Sequence, residues 1–304
     1  MKPEATLVLE EEEQERELAE PGLLSDLFTL TKARLSLLVI ITTFVGFCLA
    51  SPSPINWLKL IHATLGTALA AAGAGALNQW LEVRVDRLME RTRNRPLPSG
   101  RMRPITALLI GLALSAAGVT WLALACNAAS AWLAATTVGT YVLFYTPLKR
   151  KTSFCTIVGA VSGAIPPVIG WVAARPSFDL GAWVLFGVLF TWQMPHFLAI
   201  AWMYRDEYAQ AGFVMLRRDD TSGFSTAFES LGFTIALGTI TMIPFWSGLL
   251  SESYLGGALT LDCAMTGAAV WFLVERSRTS ARALFFASII FLPLILGLMV
   301  VTKA

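Results

Sequence analysis

Three oxygen-bearing side chains recur at intervals of four in the segment Asn78-Gln-Trp-Leu-Glu82-Val-Arg-Val-Asp86. On an α-helix each step of four drifts by about 40°, so the three share one face across two turns. Amide and carboxylate oxygens suit a hard cation. Mg2+ in particular takes one or two carboxylates, waters and substrate phosphates. The sequence just downstream is basic, Arg91-Thr-Arg-Asn-Arg95-Pro-Leu-Pro, and arginine forks match phosphate oxygens. An acidic stripe beside such a run could hold a metal and a diphosphate together. The plainer alternative is a solvated helix end with local ion pairs, for example Glu82 with Arg87. Against it stands the Ala/Gly run from Ala70 to Gly75, because small residues leave room for a close helix or a ligand.

Two more polar clusters have chemical potential. Tyr145-Thr-Pro-Leu-Lys149-Arg150-Lys151-Thr152 could add cations to a diphosphate site, or be an ordinary basic flank. Trp192-Gln-Met-Pro195-His196-Phe is followed by Tyr204-Arg205-Asp206-Glu207-Tyr208. His196 stands inside an apolar stretch beside a helix-bending proline. That makes it either a packing residue or a functional one. The other histidine, His62, reads as interfacial, and Pro166-Pro167 should kink its helix toward a cavity that takes up the freed carbonyls.

The elements that must position these groups are membrane helices. The 304 residues are 55% hydrophobic and only 14% charged, against about 25% charged in a soluble domain. That excludes a disordered, fibrous or ordinary soluble chain. The basic residues lie between apolar blocks and gather on no soluble surface, which excludes a nucleic-acid binder. Cys48, Cys126, Cys155 and Cys263 are far apart in sequence, so neither a disulfide framework nor a zinc site is expected.

A span needs roughly 20 apolar residues. Nine stretches qualify, at about 35–51, 60–82, 104–124, 127–146, 153–174, 180–203, 226–248, 255–275 and 283–301, the eighth being weakest because it carries Asp262. Uninterrupted apolar runs mean helices and not barrel strands. The fold class expected is therefore an all-α polytopic membrane protein, nine helices bundled around a central cavity that opens to the cytoplasmic side. With nine spans, 20 of the 23 Lys and Arg fall on one side, leaving Lys59, Arg175 and Lys303 on the other. The positive-inside rule places the N-terminus in the cytoplasm and the C-terminus outside. Residues 1–27 read as an acidic, solvated and disordered or loosely helical cytoplasmic tail, and 28–304 as a single transmembrane domain. The acidic leader is unlike the basic n-region of a signal peptide. All three polar clusters then meet at the cytoplasmic ends of even-numbered helices.

These residues resemble the intramembrane UbiA-type prenyltransferases, and within them the branch that farnesylates protohaem IX (the haem O synthases). The likeness is carried by Leu30-Thr-Lys32-Ala-Arg34-Leu, by Asn78-x-x-x-Glu82-x-x-x-Asp86 and the run through Arg91 to Arg95-Pro-Leu, by Tyr145-Thr-Pro-Leu-Lys149-Arg150-Lys-Thr152, by Gly163-Ala-Ile-Pro166-Pro167, and by Pro195-His196-Phe-Leu-Ala with Glu207-Tyr208-Ala-Gln-Ala-Gly212. It runs in order from about residue 28 to 301. Three departures stand out. Glu82 replaces the family's usual Asp, Asp206-Glu207 is a reduced second acidic motif, and Phe-Val-Met-Leu-Arg follows Gly212 where Pro-Met-Leu-Pro is usual.

The resemblance implies transfer of a farnesyl group from farnesyl diphosphate to a vinyl group of protohaem IX (haem b), a substrate and not a cofactor, giving haem O for haem-copper oxidase assembly. It implies Mg2+ on Asn78, Glu82 and Asp86, with Asp206 and Glu207 completing the metal set. Arg91, Arg95, Lys149 and Arg150 would hold the diphosphate, Tyr145 and Trp192 would steady an allylic cation, and His196, with Tyr145 and Trp192, would contact haem. It also implies a bacterial inner-membrane location and a handover to haem A synthase or oxidase assembly proteins. Alternatives are a relative acting on a quinone precursor or another tetrapyrrole, a transporter and a haem-binding assembly factor. A transporter would place its site at mid-membrane on repeated, broken helices; no internal repeat is visible. An assembly factor would leave the acidic stripe unexplained.

Overall fold

The computed structural model describes residues 22–303. Among them every regular element is helical: α1 (Leu23–Leu30), α2 (Ala33–Ala50), α3 (Trp57–Asp86), α4 (Pro104–Ala125), α5 (Ala128–Gly139), α6 (Thr146–Leu148), α7 (Cys155–Ala174), α8 (Leu180–Met203), α9 (Arg205–Gln210), α10 (Phe224–Trp246), α11 (Ser253–Glu275) and α12 (Arg278–Val301). Large apolar side chains such as Leu124, Trp132 and Val301 lie exposed on the outside of the bundle. That is the arrangement of a protein whose lateral solvent is lipid.

Among the described residues, seven helices (α3, α4, α7, α8, α10, α11 and α12) are long and apolar enough to cross a membrane, and the α1–α2 pair, bent by 54°, makes up to eight. The expected span at 127–146 departs from the rest. Its α-helix stops at Gly139, and Thr140–Tyr145 continue as a π-helix into the short α6. Pro147 explains part of this, because it has no N–H to offer the carbonyl four residues back. A widened π-turn at that point also turns the Tyr141 and Tyr145 rings against each other, 5.1 Å between centroids.

Of the acidic segment 1–27, residues 1–21 lie outside the described residues. The rest of it is not a tail. α1 begins at Leu23, and Asp26 is buried and accepts from Arg101 Nη2 at 2.8 Å. α3 is longer than the apolar run 60–82 suggests. Asn56 caps it by accepting from the Lys59 amide at 3.0 Å, and it ends only at Asp86. The whole Asn78–Asp86 stripe thus rides on one continuous helix.

α2 and α7 meet backbone to backbone. A Cβ on Gly46 would come within 1.9 Å of the Pro167 carbonyl, and one on Gly170 within 1.9 Å of the Thr43 carbonyl. This contact brings Pro166-Pro167 beside α2, where Thr43 Oγ1 lies 3.2 Å from the Pro166 carbonyl and makes its shorter bond, 2.8 Å, to the Val39 carbonyl. The two prolines free the carbonyls of Ser162 and Gly163, and both of these residues line an internal cavity. The freed carbonyls thus belong to residues of the cavity wall, while α7 itself runs on as one helix from Cys155 to Ala174.

Candidate active site

Asn78, Glu82 and Asp86 all point inward, at 0%, 6% and 1% exposure. A solvated helix end is therefore excluded. Glu82 does not pair with Arg87, whose Nε instead donates to the Pro98 carbonyl at 3.2 Å. Each of the three side chains is met by a different cation from a different part of the chain. Lys32 Nζ donates to Asn78 Oδ1. Lys149 Nζ donates to Glu82 Oε1 at 2.9 Å. Arg95 Nη1 donates to Asp86 Oδ2 at 2.8 Å. Buried carboxylates are tolerated only when paired, and here pairing also folds two loops onto α3.

The surrounding bonds hold the cluster rigidly. Asn78 Nδ2 donates to Thr146 Oγ1 at 2.9 Å, and that hydroxyl donates to the Tyr141 carbonyl at 2.8 Å. Lys32 Nζ also donates to the Tyr141 hydroxyl at 3.2 Å. Lys32 adopts φ 50°, a left-handed conformation at the bend between α1 and α2. Gln79, next to Asn78, donates to the Thr29 and Leu30 carbonyls at 2.6 and 3.0 Å, tying that bend to α3. Lys149 lies 4.6 Å from the centroid of the Tyr145 ring and 5.7 Å from that of Phe213, and its carbonyl accepts from the Val214 amide at 2.7 Å. Burial alone would depress the Lys149 pKa. The Tyr145 oxygen and the Glu82 carboxylate, with Tyr141 behind them, outweigh it and hold the pKa above the ordinary lysine value, so the group stays an ammonium.

The loop after α9 joins from the other side. Val85 and Met89 pack with Ala211, Phe213 and Tyr208, and the Arg91 guanidinium lies 5.9 Å from the Tyr204 ring centroid. The two acidic residues of this loop are placed less favourably. Asp206 is exposed and, among the described residues, pairs only with Arg205, at 3.8 Å. Glu207 is half-buried, with Oε1 buried and, among the described residues, without a partner. Among the described residues neither bonds to the Asn78–Asp86 stripe, and no cluster of three His, Cys, Asp or Glu is arranged to hold a metal. Arg150 is exposed.

Behind the charged cluster lies an apolar cavity of about 280 Å³, walled by α2, α3, α5, α7 and α8. Lys32, Tyr141 and Tyr145 belong both to its lining and to the polar cluster. The Ala/Gly run contributes Ala70, Ala71, Ala74 and Gly75 to the wall, where larger side chains would fill the space. His196 and Trp192 line the same cavity. The His196 ring stacks between Trp192 and Phe285, each 5.0 Å away by centroid. Its Nδ1 is 2.7 Å from Ser288 Oγ, and that hydroxyl also lies 2.6 Å from the Phe285 carbonyl. With the Ser288 proton on the Phe285 carbonyl, Nδ1 is the donor to Ser288 and Nε2 keeps its lone pair; with that proton turned to Nδ1, Nε2 carries the hydrogen.

The structure thus brings Asn78, Glu82, Asp86, Arg95, Lys149 and Tyr145 together, and sets His196 and Trp192 deeper in the adjoining cavity. Lys32, Tyr141, Thr146 and Ser288 also belong to the site and do not stand out in the sequence. Lys32 and Thr146 could have been found, because both lie in segments that carry the family resemblance.

Residues 39–292 match the model of the UbiA prenyltransferase family. The chain is 42% identical over 287 residues to a protoheme IX farnesyltransferase of Solibacter usitatus, covering 91% of this chain and 98% of that one. It is 40% identical over 280 residues to a protoheme IX farnesyltransferase of Opitutus terrae, with 92% and 95% covered. Among solved structures it is similar to a digeranylgeranylglyceryl phosphate synthase, with a TM-score of 0.78 at 16% identity over 92% of this chain and 98% of that one. It is also similar to a UbiA homolog from Archaeoglobus fulgidus bound to GPP and Mg2+, with a TM-score of 0.64 at 13% identity over 90% and 99%. At such identities the two structures speak to the fold alone.

Proposed function

The chain belongs to the UbiA prenyltransferase family, and on that premise we propose that it is an integral-membrane transferase that moves a farnesyl group from farnesyl diphosphate to a vinyl group of protohaem IX, making haem O. The observation that carries the reading is the junction of two unlike compartments. A buried, cation-paired trio of oxygen ligands stands at the mouth of an apolar cavity lined by an aromatic-flanked histidine. A prenyl diphosphate has the same two halves.

The donor set fits Mg2+: one amide and two carboxylates, hard oxygens on one helix face, with room in the scheme for substrate phosphates. Asn78, Glu82 and Asp86 would hold the ion, and Asp206 and Glu207 would reach it only through a shift of the α9 loop. When bound, Mg2+ neutralises charge on the leaving diphosphate. The protein's own residues do the rest. Arg95 and Lys149 exchange part of their carboxylate contact for diphosphate oxygens, and Arg91 and Arg150 add charge at the entrance. The bond between the farnesyl C1 and its oxygen breaks, and pyrophosphate leaves with the electron pair. The allylic cation is attacked by the haem vinyl group, and the resulting cation takes up water and loses a proton, giving the hydroxyethylfarnesyl side chain. The Tyr145 and Trp192 faces steady the cation, and the apolar walls keep bulk water away from it until the new carbon–carbon bond exists. His196, with Nε2 unprotonated, would ligate the haem iron.

In this reading the fold has nine spans, with Ala128–Leu148 as the fourth despite its π-turn, and the site opens to the cytoplasm. The N-terminus is then cytoplasmic, the C-terminus external and the membrane the bacterial inner membrane. Its product would be handed to haem A synthase or to oxidase assembly proteins. The test is to incubate membranes carrying the protein with haem b, farnesyl diphosphate and Mg2+, and to weigh the extracted haem. A farnesylated, hydrated product is expected. Unchanged haem with consumed diphosphate would point to another acceptor, and no pyrophosphate release at all would end the enzyme reading.

A further inference from the structure

A second cavity, of about 410 Å³, lies at the end of the bundle opposite the Asn78 cluster. α2 fixes the separation. Lys32 at its N-terminal end contacts Asn78, whereas the Cys48 and Ser51 carbonyls at its C-terminal end accept from Lys303 Nζ. An 18-residue helix rises about 27 Å, close to the roughly 30 Å of a bilayer's hydrocarbon core. The second cavity therefore sits at headgroup depth on the far face. Its walls include Arg175, Asp179 and Lys303 together with apolar Leu49, Leu180 and Leu249.

The charge pattern is selective. The far face has only three basic residues by the sequence topology, Lys59, Arg175 and Lys303, and two of them converge here. Arg175 touches Asp179 only at 3.6 Å and is more than half exposed, which leaves guanidinium donors open. Lys303 uses two of its N–H groups on carbonyls and has a third left. Trp171 also lines the cavity, with its indole N–H buried and, among the described residues, unpartnered. Asp179 brings one negative charge; its Oδ2 is met by Arg175 at 3.6 Å and by the Ser177 hydroxyl at 3.0 Å, while its Oδ1 is buried and, among the described residues, unpartnered.

We propose that this cavity is a binding site for the phosphate of an anionic phospholipid in the far leaflet. Arg175 and Lys303 flank the phosphate, and the lipid's chains run down beside Leu180 and Leu249. A free phosphate would satisfy the cations and leave the apolar walls unused. At this depth the surroundings already supply lipid headgroups, and two cations side by side form charge-assisted bonds with phosphate oxygens.

The full-length protein in detergent, titrated with phosphatidylglycerol, phosphatidylcholine or inorganic phosphate and followed by native mass spectrometry and thermal melting, decides the matter. Wild type should retain phosphatidylglycerol over phosphatidylcholine on the order of ten-fold, and melt higher with it. Arg175→Gln with Lys303→Gln should bring the two lipids close to parity. Lys303 also ties α2 to the chain beyond α12, so a second variant guards against simple misfolding. Leu249→Glu, at a partly exposed wall position, should lose the preference while the lipid-free melting point stays unchanged. The proposal is overturned if the preference survives in both variants, or if phosphatidylcholine is retained equally by wild type. It also fails if inorganic phosphate at millimolar concentration displaces phosphatidylglycerol and raises the melting point as much, which would make the site one for a free anion.

Discussion

The Lys149 ammonium bridges both carboxylate oxygens of Glu82, at 2.9 and 3.2 Å, and so locks the turn after α6 onto the end of α3. Both side chains are largely buried, at 12% and 8% exposure. Removing one partner of such a pair costs about 3–5 kcal/mol because the other charge stays buried and alone, whereas replacing both with apolar groups is often close to neutral. Glu82→Gln should therefore lower the melting point markedly and abolish turnover. Glu82→Met combined with Lys149→Met should recover most of the stability and none of the activity. Recovery of both would make the pair purely structural.

Asn78→Ala and Asp86→Ala address the proposed metal ligands directly. Each should leave membrane insertion intact and cut haem O formation at least about a hundred-fold, the order of effect of losing an electrostatic anchor at the reacting charge. Mass analysis of extracted haem measures this. Turnover within several-fold of wild type in either variant would remove the metal role.

Arg95 and Arg150 make a matched pair of tests. Arg95 already reaches Asp86 at 2.8 Å, whereas Arg150 is exposed. Arg95→Ala should raise the KM for farnesyl diphosphate or lower kcat by roughly ten-fold or more, as expected for a charge-assisted contact. Arg150→Ala should change either constant by no more than about two-fold, since an exposed charge is worth little. The reverse order would relocate the diphosphate toward the loop surface.

His196 and Ser288 are separable by absorbance titration with haem. His196→Ala should weaken haem binding and alter its spectrum. Ser288→Ala frees Nδ1 from its partner and lets the tautomer vary, so it should weaken binding less and leave the spectrum of the saturated complex nearly as in wild type. An unaltered spectrum and affinity in His196→Ala would leave that ring a packing residue.

Gly46 and Gly170 carry a prediction about the scaffold. An added methyl at either meets a carbonyl oxygen at 1.9 Å, and only movement of α2 against α7 can relieve it. Alanine at either site should cost about 1–3 kcal/mol, as overpacking does, read as a lower melting point in detergent. A serine or alanine variant as stable as wild type would show that the two helices are free to separate.

Much of this was legible because lipid imposes strict rules. Apolar runs of span length predicted the helices, even the weak one around Asp262, since backbone groups in hydrocarbon have to bond within the segment. The four-residue spacing of Asn78, Glu82 and Asp86 predicted a shared face, because a helix permits no other arrangement. The limits were equally physical. Hydropathy cannot see a π-turn at Thr140–Tyr145, which depends on where Pro147 withdraws its donor and on what the tyrosines pack against. Nor can it mark α1 as part of the folded body, because Asp26 looks like one more acid of the tail until Arg101 covers it.

By itself, the sequence determined the helical class, the single stripe of oxygen ligands and the basic runs that flank it, because periodicity and composition are local properties and survive without neighbours. Only the tertiary structure decided which cation meets which oxygen: Lys32 with Asn78, Lys149 with Glu82, Arg95 with Asp86. Two of those pairs join residues 46 and 67 positions apart. It alone also set Ser288 of the last helix behind His196, 92 residues away. Such partners are chosen by how helices pack and where a buried charge can be neutralised, and no spacing along the chain records that choice.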